Sequence, residues 1–306
     1  MINKVVNECN ISGKLYGFGR FGLEEKDGKI RGSVMVLTDG PTQNIVEVNF
    51  IPQAPKYKSG KDNNNYKVLK QIIDEELTVE KVGERAACSV RIASNLTVNT
   101  YYRKTEQNEY VLSETPQVRG NFIHIDSKAQ PDASFNIDCL IQDMVDEVNT
   151  QGEETGNKIF KVRVFDDYRK MFFPLQFVMK LPEGIDFATT NYEPGSSYVN
   201  LSGRIINKTL EPVQSNADMG FGQHAQMGQP RTIREYEITG GTVPRELPMT
   251  DDEVKEVKLN RDNFLTETKN RAMERANSKS TKSFESGLQS SFKKETVSTG
   301  SKTYDF

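Results

Sequence analysis

The chain has 306 residues, and its 40 Lys and Arg against 43 Asp and Glu give a formal net charge of -3. This balance excludes attachment to nucleic acid by bulk charge, so any such binding needs cations gathered on one face. No apolar run is long enough for a membrane span, and residues 1–13 lack the pattern of a signal peptide. Because the three cysteines lie far apart, we expect neither a disulfide framework nor a metal site. From the segments that are missing we expect a cytoplasmic protein, and from the length about two domains.

The region 1–241 is predicted to be mainly β, because short runs of Val, Ile, Phe and Tyr alternate with polar residues between Gly, Asn, Asp and Pro. A helical spacing of apolar residues predicts one helix early in this region, at 66–77. Strands are predicted around it at 5–18, 30–37, 44–51, 85–103 and 110–113. The first unit therefore has the order β-β-β-α-β-β.

A second β unit is predicted from residue 117 onward. Its strands are expected at 117–125, 133–145, 159–165, 171–179, 197–206 and 232–239, with a long loop at 207–231. Three segments share one pattern: an aliphatic residue, one other residue, then glycine and a polar or basic residue. The segments are NISGKLYG at 10–17, QVRGNFIH at 117–124 and NLSGRIIN at 200–207. From this recurrence and the element order we infer a duplication.

The composition changes after the second unit. Thr250 and the three acidic residues that follow it favour the start of a charged, solvated helix, which we expect to end at 276. The Ser-, Thr- and Lys-rich tail is too polar to offset its ordering entropy, which predicts disorder. The predicted domains are thus 1–115, 116–241, a linker and helix at 242–276, and a disordered tail at 277–306.

The element order of each unit is that of the OB-fold, a small Greek-key barrel that binds single-stranded nucleic acid. MINKVVNECNISGKLYG resembles the first strand of single-stranded DNA-binding proteins, in which an Asn-Lys-Val opening leads to a Gly-Arg/Lys-Leu motif, here Gly13, Lys14 and Leu15. GSSYVNLSGRIINK at 195–208 and REYEITGG at 234–241 are similar to that family's fourth and fifth strands. With two barrels in one chain, the sequence resembles a bacteriophage version of these single-stranded DNA-binding proteins. The end, SKTYDF, departs from the family's strongly acidic tail.

Single-strand binding needs cations for phosphates and exposed rings for bases. Strict alternation along the first strand places Lys14, Tyr16, Phe18 and Arg20 on one face, although the two rings could instead close the barrel bottom or cover the helix. Phe172, Phe173 and Phe177 lie in an apolar run and are expected in the core. The predicted nucleic-acid-binding residues are Lys14, Tyr16, Phe18, Arg20, Tyr101, Arg103, Arg119, Lys161, Arg163, Phe165, Arg169 and Arg204.

Signals for an enzyme are weak in this sequence. GFGRFG at 17–22 matches a dinucleotide fingerprint, but such a site needs a helix to begin at that turn, and a strand is predicted instead. His124 and His224 have no Cys or second His near them in sequence. We therefore expect no catalytic residue, no metal and no cofactor.

The sequence as a whole favours two tandem OB-type barrels that bind and protect single-stranded DNA during phage replication or recombination. The host cytoplasm is the expected location. A replication or recombination protein is a candidate partner for the tail, a homo-oligomer is compatible with the pattern, and no membrane partner is expected. The alternative is a phage structural or assembly protein, since small β-barrels also build such particles.

Overall fold

The computed structural model describes residues 5–210 and 231–292. Within these ranges the predicted mainly β fold class is confirmed, with a long helix after the last strand. The strands are β1 Asn7–Lys26, β2 Lys29–Asp39, β3 Asn44–Gln53, β4 Ser89–Lys104, β5 Tyr110–Ile125, β6 Asp132–Val148, β7 Glu154–Asp166, β8 Met171–Met179, β9 Tyr198–Leu210 and β10 Arg231–Gly241. The helices are α1 Asn64–Glu75, α2 Val79–Val82, α3 Pro182–Asn191 and α4 Asp251–Phe292.

Strands β1 to β5 close into a barrel. β1 pairs antiparallel with β2 and with β4, β2 pairs with β3, and β4 lies beside β5. The barrel closes where β3 runs parallel to β5, with Val48 opposite Val118. The order around the barrel is β1-β2-β3-β5-β4, and α1 lies between β3 and β4 in sequence. This is the connectivity that the sequence predicts for the first unit.

Strands β6 to β10 repeat this connectivity. β6 pairs with β7 and β9, β7 with β8, β9 with β10, and the parallel contact is Glu237 of β10 opposite Val178 of β8. The short helix α3 occupies the same place in the order as α1. Sequence analysis missed α3 because Pro182 and Gly184 read as loop residues. Proline is nevertheless favoured in the first turn of a helix, where Pro182 stands.

The predicted junction between the units at 115/116 is wrong. Residue 115 lies inside β5, and the segment predicted to open the second unit, 117–125, is the end of that strand. The pairing of β5 with β3 assigns it to the first barrel. The first barrel therefore reaches Ile125, and the second begins at Asp132 with β6.

The two barrels are joined by a continuous β-ladder. The first strands of the two barrels, β1 and β6, pair antiparallel from Asn7 opposite Ile137 to Ser12 opposite Asp132. A second tie runs from β3 to β9: Asn44 donates from Nδ2 to the Ile205 carbonyl at 2.9 Å and accepts from the Asn207 amide at 2.7 Å. The barrels are thus connected by hydrogen-bonded backbone as well as by the chain between them.

Glycines mark places where strands approach closely. A Cβ on Gly13 would collide with the Leu37 carbonyl oxygen, and a Cβ on Gly203 with the Glu237 carbonyl oxygen. Both glycines belong to the glycine-containing pattern that recurs in the sequence. Gly13, however, lies in the first strand of one barrel, and Gly203 lies in the fourth strand of the other. The recurrence reflects a shared packing need and does not mark equivalent strands.

A second compact unit contains the tip of the β4–β5 hairpin, from Asn99 to Thr115, together with the helix from Leu259 onward. Within it, Arg261 forms an ion pair with Glu114.

Helix α4 begins as the sequence predicts. A capping box supports this start, since the Glu253 carboxylate accepts from the Thr250 amide at 2.9 Å. Its predicted end at 276 is too early, because α4 continues to Phe292. The rest of the predicted disordered tail and most of the predicted loop 207–231 lie outside the described residues. No helix in the described ranges is long and apolar enough to cross a membrane.

Candidate nucleic-acid interface

A β-bulge interrupts the predicted stripe on β1. Leu15 pairs with Val36 and Gly17 with Met35, so Tyr16 is an extra residue on this strand. One extra residue exchanges the two faces of the strand beyond it. Phe18 consequently lies opposite the buried Val34 and packs against the core. Its role as an exposed stacking ring stays a prediction, and its packing against the core favours the alternative that the ring closes the barrel.

The outward positions beyond the bulge belong to Gly17 and Gly19. A Cβ on Gly17 would collide with the Glu80 carboxylate, and one on Gly19 with the Glu47 carboxylate, which accepts from the Ser33 hydroxyl at 2.6 Å. Two carboxylates over this strand oppose the approach of a phosphate. The first strand therefore lacks a continuous basic and aromatic stripe.

The other predicted binding residues on β1 are Lys14, Tyr16 and Arg20, and each has a different environment. Lys14 donates from Nζ to the Ala87 carbonyl at 2.9 Å, Tyr16 is half-buried, and Arg20 is exposed. On β5, Arg119 is half-buried and donates from Nε to Asn95 Oδ1 at 3.3 Å. A role in binding stays a prediction for these four residues.

The hairpin tip in the second compact unit carries Tyr101 and Arg103. Both side chains are exposed. Hydrogen bonds from Ser113 and Thr115 lower the pKa of the Tyr101 phenol, with Arg103 contributing through its charge. The aromatic and basic groups predicted here therefore do reach solvent.

Strand β7 and the turn between β7 and β8 carry four of the predicted binding residues: Lys161, Arg163, Phe165 and Arg169. Lys161 and Arg163 alternate with the buried Val162 and Val164 and point outward. Opposite them on β8 stand Gln176 and Pro174. We use the name β7–β8 surface for the outward face of these two strands. It includes the half-buried Phe172 and the turn residues 168–170.

Phe165 does not serve as an exposed ring on the β7–β8 surface. It is only 3% exposed, although its position opposite Phe172 places it on the outward side of β7. The two rings meet edge to face with centroids 5.6 Å apart, and Lys170 Nζ lies 6.0 Å from the Phe165 centroid. Its prediction as a stacking residue is wrong because neighbouring side chains cover it. Phe173 and Phe177 are buried, as predicted.

The turn between β7 and β8 presents a tyrosine to solvent. Tyr168 is 86% exposed, which is extreme for so large a side chain. The buried Asp166 fixes the turn, since its Oδ1 accepts from the amides of Tyr168 and Arg169 at 3.0 Å each. Local hydrogen bonds of this kind position turn residues without a contact from the core.

The cations of the β7–β8 surface have polar partners. Lys161 Nζ lies 2.9 Å from Asp143 Oδ2, and this hydrogen bond lowers the pKa of the Asp143 carboxyl. Arg163 donates from Nε to Gln142 Oε1 at 2.9 Å. Because both side chains of this ion pair are solvent-exposed, the pair contributes little to stability. A phosphate can therefore replace the carboxylate at small cost.

Arg204 lies apart from the β7–β8 surface. On β9 it stands between Ser134 of β6 and Glu237 of β10, and it lines a groove beside the junction of the barrels together with Lys208. Sequence reasoning did not select Lys208, because nothing in its local pattern distinguishes it from other exposed lysines. No group of three or more metal-binding side chains is present among the described residues.

A family model described as YorF matches residues 7–271, so the chain belongs to the YorF family. No curated protein matches it. Among solved structures, the crystal structure of the wild-type single-stranded DNA binding protein from Thermus aquaticus is similar at 12% identity and a TM-score of 0.43, covering 81% of this chain and 97% of that one. A deletion mutant of the Thermus aquaticus protein gives 12% identity and 0.41, covering 79% and 96%.

Proposed function

We propose that the chain binds single-stranded DNA through the β7–β8 surface, without catalysis. The observation that carries this proposal is the placement of Lys161 and Arg163 on the outward face of β7, with the exposed Tyr168 in the turn between β7 and β8, the second and third strands of a barrel. In OB-type barrels those two strands form the oligonucleotide-binding face. Phosphates would contact the two cations, and a base would stack on Tyr168.

Tolerance of sequence follows from the chemistry of these contacts. Cations recognise phosphate, which is the same in every nucleotide, and a ring stacks on the flat face that every base offers. Bases in a duplex are already stacked on each other, so the tyrosine favours an unpaired strand. The proposed affinity is therefore higher for single-stranded than for double-stranded DNA.

The wider role that we propose is protection of single-stranded DNA during replication or recombination, of a bacteriophage in its host cytoplasm. The tail remains a candidate contact for a second protein, and self-association is compatible with the role. These finer statements rest on the binding activity and on the resemblance of the sequence motifs.

The test is a titration of a labelled single-stranded oligonucleotide at several salt concentrations. We expect the double variant Lys161→Ala/Arg163→Ala to weaken binding and to reduce the log-log salt slope by about 1.4, at roughly 0.7 per phosphate contact on single strands. Arg91→Ala is the matched control. Arg91 is an exposed strand arginine 3.0 Å from a carboxylate, that of Asp126, and it lies on β4.

Equal loss in the control and in the double variant would contradict the assignment of binding to the β7–β8 surface. Absence of binding by the unmodified protein, or equal binding to duplex, would contradict the function itself. The structural or assembly role considered from the sequence would then take its place.

A further inference from the structure

A groove of about 470 Å³ lies beside the junction of the two barrels. One wall comes from the turn between β2 and β3, and the other from the start of β6 and from β9. The volume falls within the range of roughly 300 to 1,000 Å³ that is typical of small-ligand sites. The groove is thus large enough for a ligand, and its walls come from different barrels.

Hydrogen bonds hold the groove walls in place. Asn44 is only 9% exposed, donates to Thr38 Oγ1 at 2.8 Å and bonds to β9 on the opposite wall. Asn207 returns the contact by donating from Nδ2 to the Ile45 carbonyl at 2.6 Å. A ligand entering such a groove meets walls that are already ordered, which lowers the entropy cost of binding.

Two cations and two carboxylates line the groove. Among the described residues, neither Arg204 nor Lys208 forms an ion pair. Asp39 accepts from the Thr42 hydroxyl at 2.6 Å, and Asp132 from the Ser134 hydroxyl at 2.9 Å. The groove therefore offers cations to an anionic group and carboxylates to hydrogen-bond donors.

A nucleotide of a DNA strand has these two features. Its phosphate matches Arg and Lys, and carboxylates accept from the exocyclic amino group of cytosine, which thymine lacks. We propose that the groove holds one nucleotide of a bound single strand, with its phosphate on Arg204 and Lys208 and an amino group of its base on Asp39 or Asp132. This proposal rests on the proposed function and adds a second contact site with a base preference.

The experiment compares oligo-dC with oligo-dT of about 32 nucleotides, a length that covers two barrels at up to roughly 16 nucleotides each. We expect the unmodified protein to bind oligo-dC about tenfold more tightly, at the low end of base discrimination. The double variant Asp39→Ala/Asp132→Ala should lose this preference. Arg204→Ala/Lys208→Ala should lower the salt slope by about 0.7 for both oligonucleotides, because the two cations contact one phosphate.

Arg234→Ala is the control for the cation variant. Arg234 is an exposed arginine on β10, on the same ladder as β9, and it does not line the groove. We expect its salt slope to equal that of the unmodified protein. Melting curves of all variants establish that they are folded before their affinities are compared.

The outcomes separate this proposal from the proposed function. If the unmodified protein binds single strands but shows no preference for oligo-dC, or if the Arg204 and Lys208 variant keeps its salt slope, the groove proposal is overturned and the β7–β8 surface is unaffected. If the unmodified protein binds neither oligonucleotide, both proposals fail.

Discussion

Replacing Phe18 and Tyr16 separately tests the bulge in β1. The bulge turns Phe18 toward the core, whereas Tyr16 is the inserted residue and is half-buried. Removing a fully buried Phe costs about 3 to 5 kcal/mol of stability; because Phe18 is only partly buried, we expect Phe18→Ala to cost about 2 to 3 kcal/mol. Tyr16→Ala should cost under about 1 kcal/mol.

Urea unfolding measures this difference, and the denaturant slope should stay unchanged because the change is one of stability. Affinity for single-stranded DNA is then measured where both variants are folded, and Phe18→Ala should bind like the unmodified protein. Unchanged stability with weakened binding in Phe18→Ala would refute the bulge argument. The continuous stripe predicted from strict alternation would then be restored.

Three further outcomes follow from the described contacts. Asp138→Ala should lower the free energy of unfolding by about 3 kcal/mol in urea titrations. The reason is that the buried carboxylate accepts from the Val6 amide at 2.9 Å and pairs with Arg245. A loss under about 1 kcal/mol would contradict this. Tyr168→Ala should leave the melting temperature unchanged and weaken single-strand binding by about 1 to 3 kcal/mol; a melting drop would show that the ring packs. By NMR the Asp143 carboxyl should titrate below its ordinary pKa, and Lys161→Ala should raise its pKa toward the ordinary value. The stability that this carboxylate contributes is therefore present above the ordinary pKa and is lost as the pH falls through the lowered pKa.

Local patterns in the sequence carry much of the fold. Alternation along β7 places Lys161 and Arg163 on the face opposite the buried Val162 and Val164, because every residue of that stretch stays in register with β8. The capping box at Thr250 likewise needs only neighbouring residues. Where neighbours in the chain decide the geometry, the sequence is sufficient.

Contacts between distant residues account for what the sequence could not show. The bulge at Tyr16 is a property of how β1 fits β2, so strict alternation misplaces Phe18. The groove depends on Asn44 and Asn207, which are 163 residues apart. Proline at position 116 reads as a strand break, although β5 runs through it.

The ladder between β1 and β6 also bears on whether the barrels can be separated. Removal of one barrel would leave Asn7 to Ser12, or Asp132 to Ile137, with unsatisfied backbone groups along an open strand edge. Such an edge pairs readily with another copy of itself. A single barrel expressed alone is therefore expected to be a two-fold symmetric dimer or to aggregate, and the intact chain supplies within one molecule the partner that a lone barrel would have to find in another.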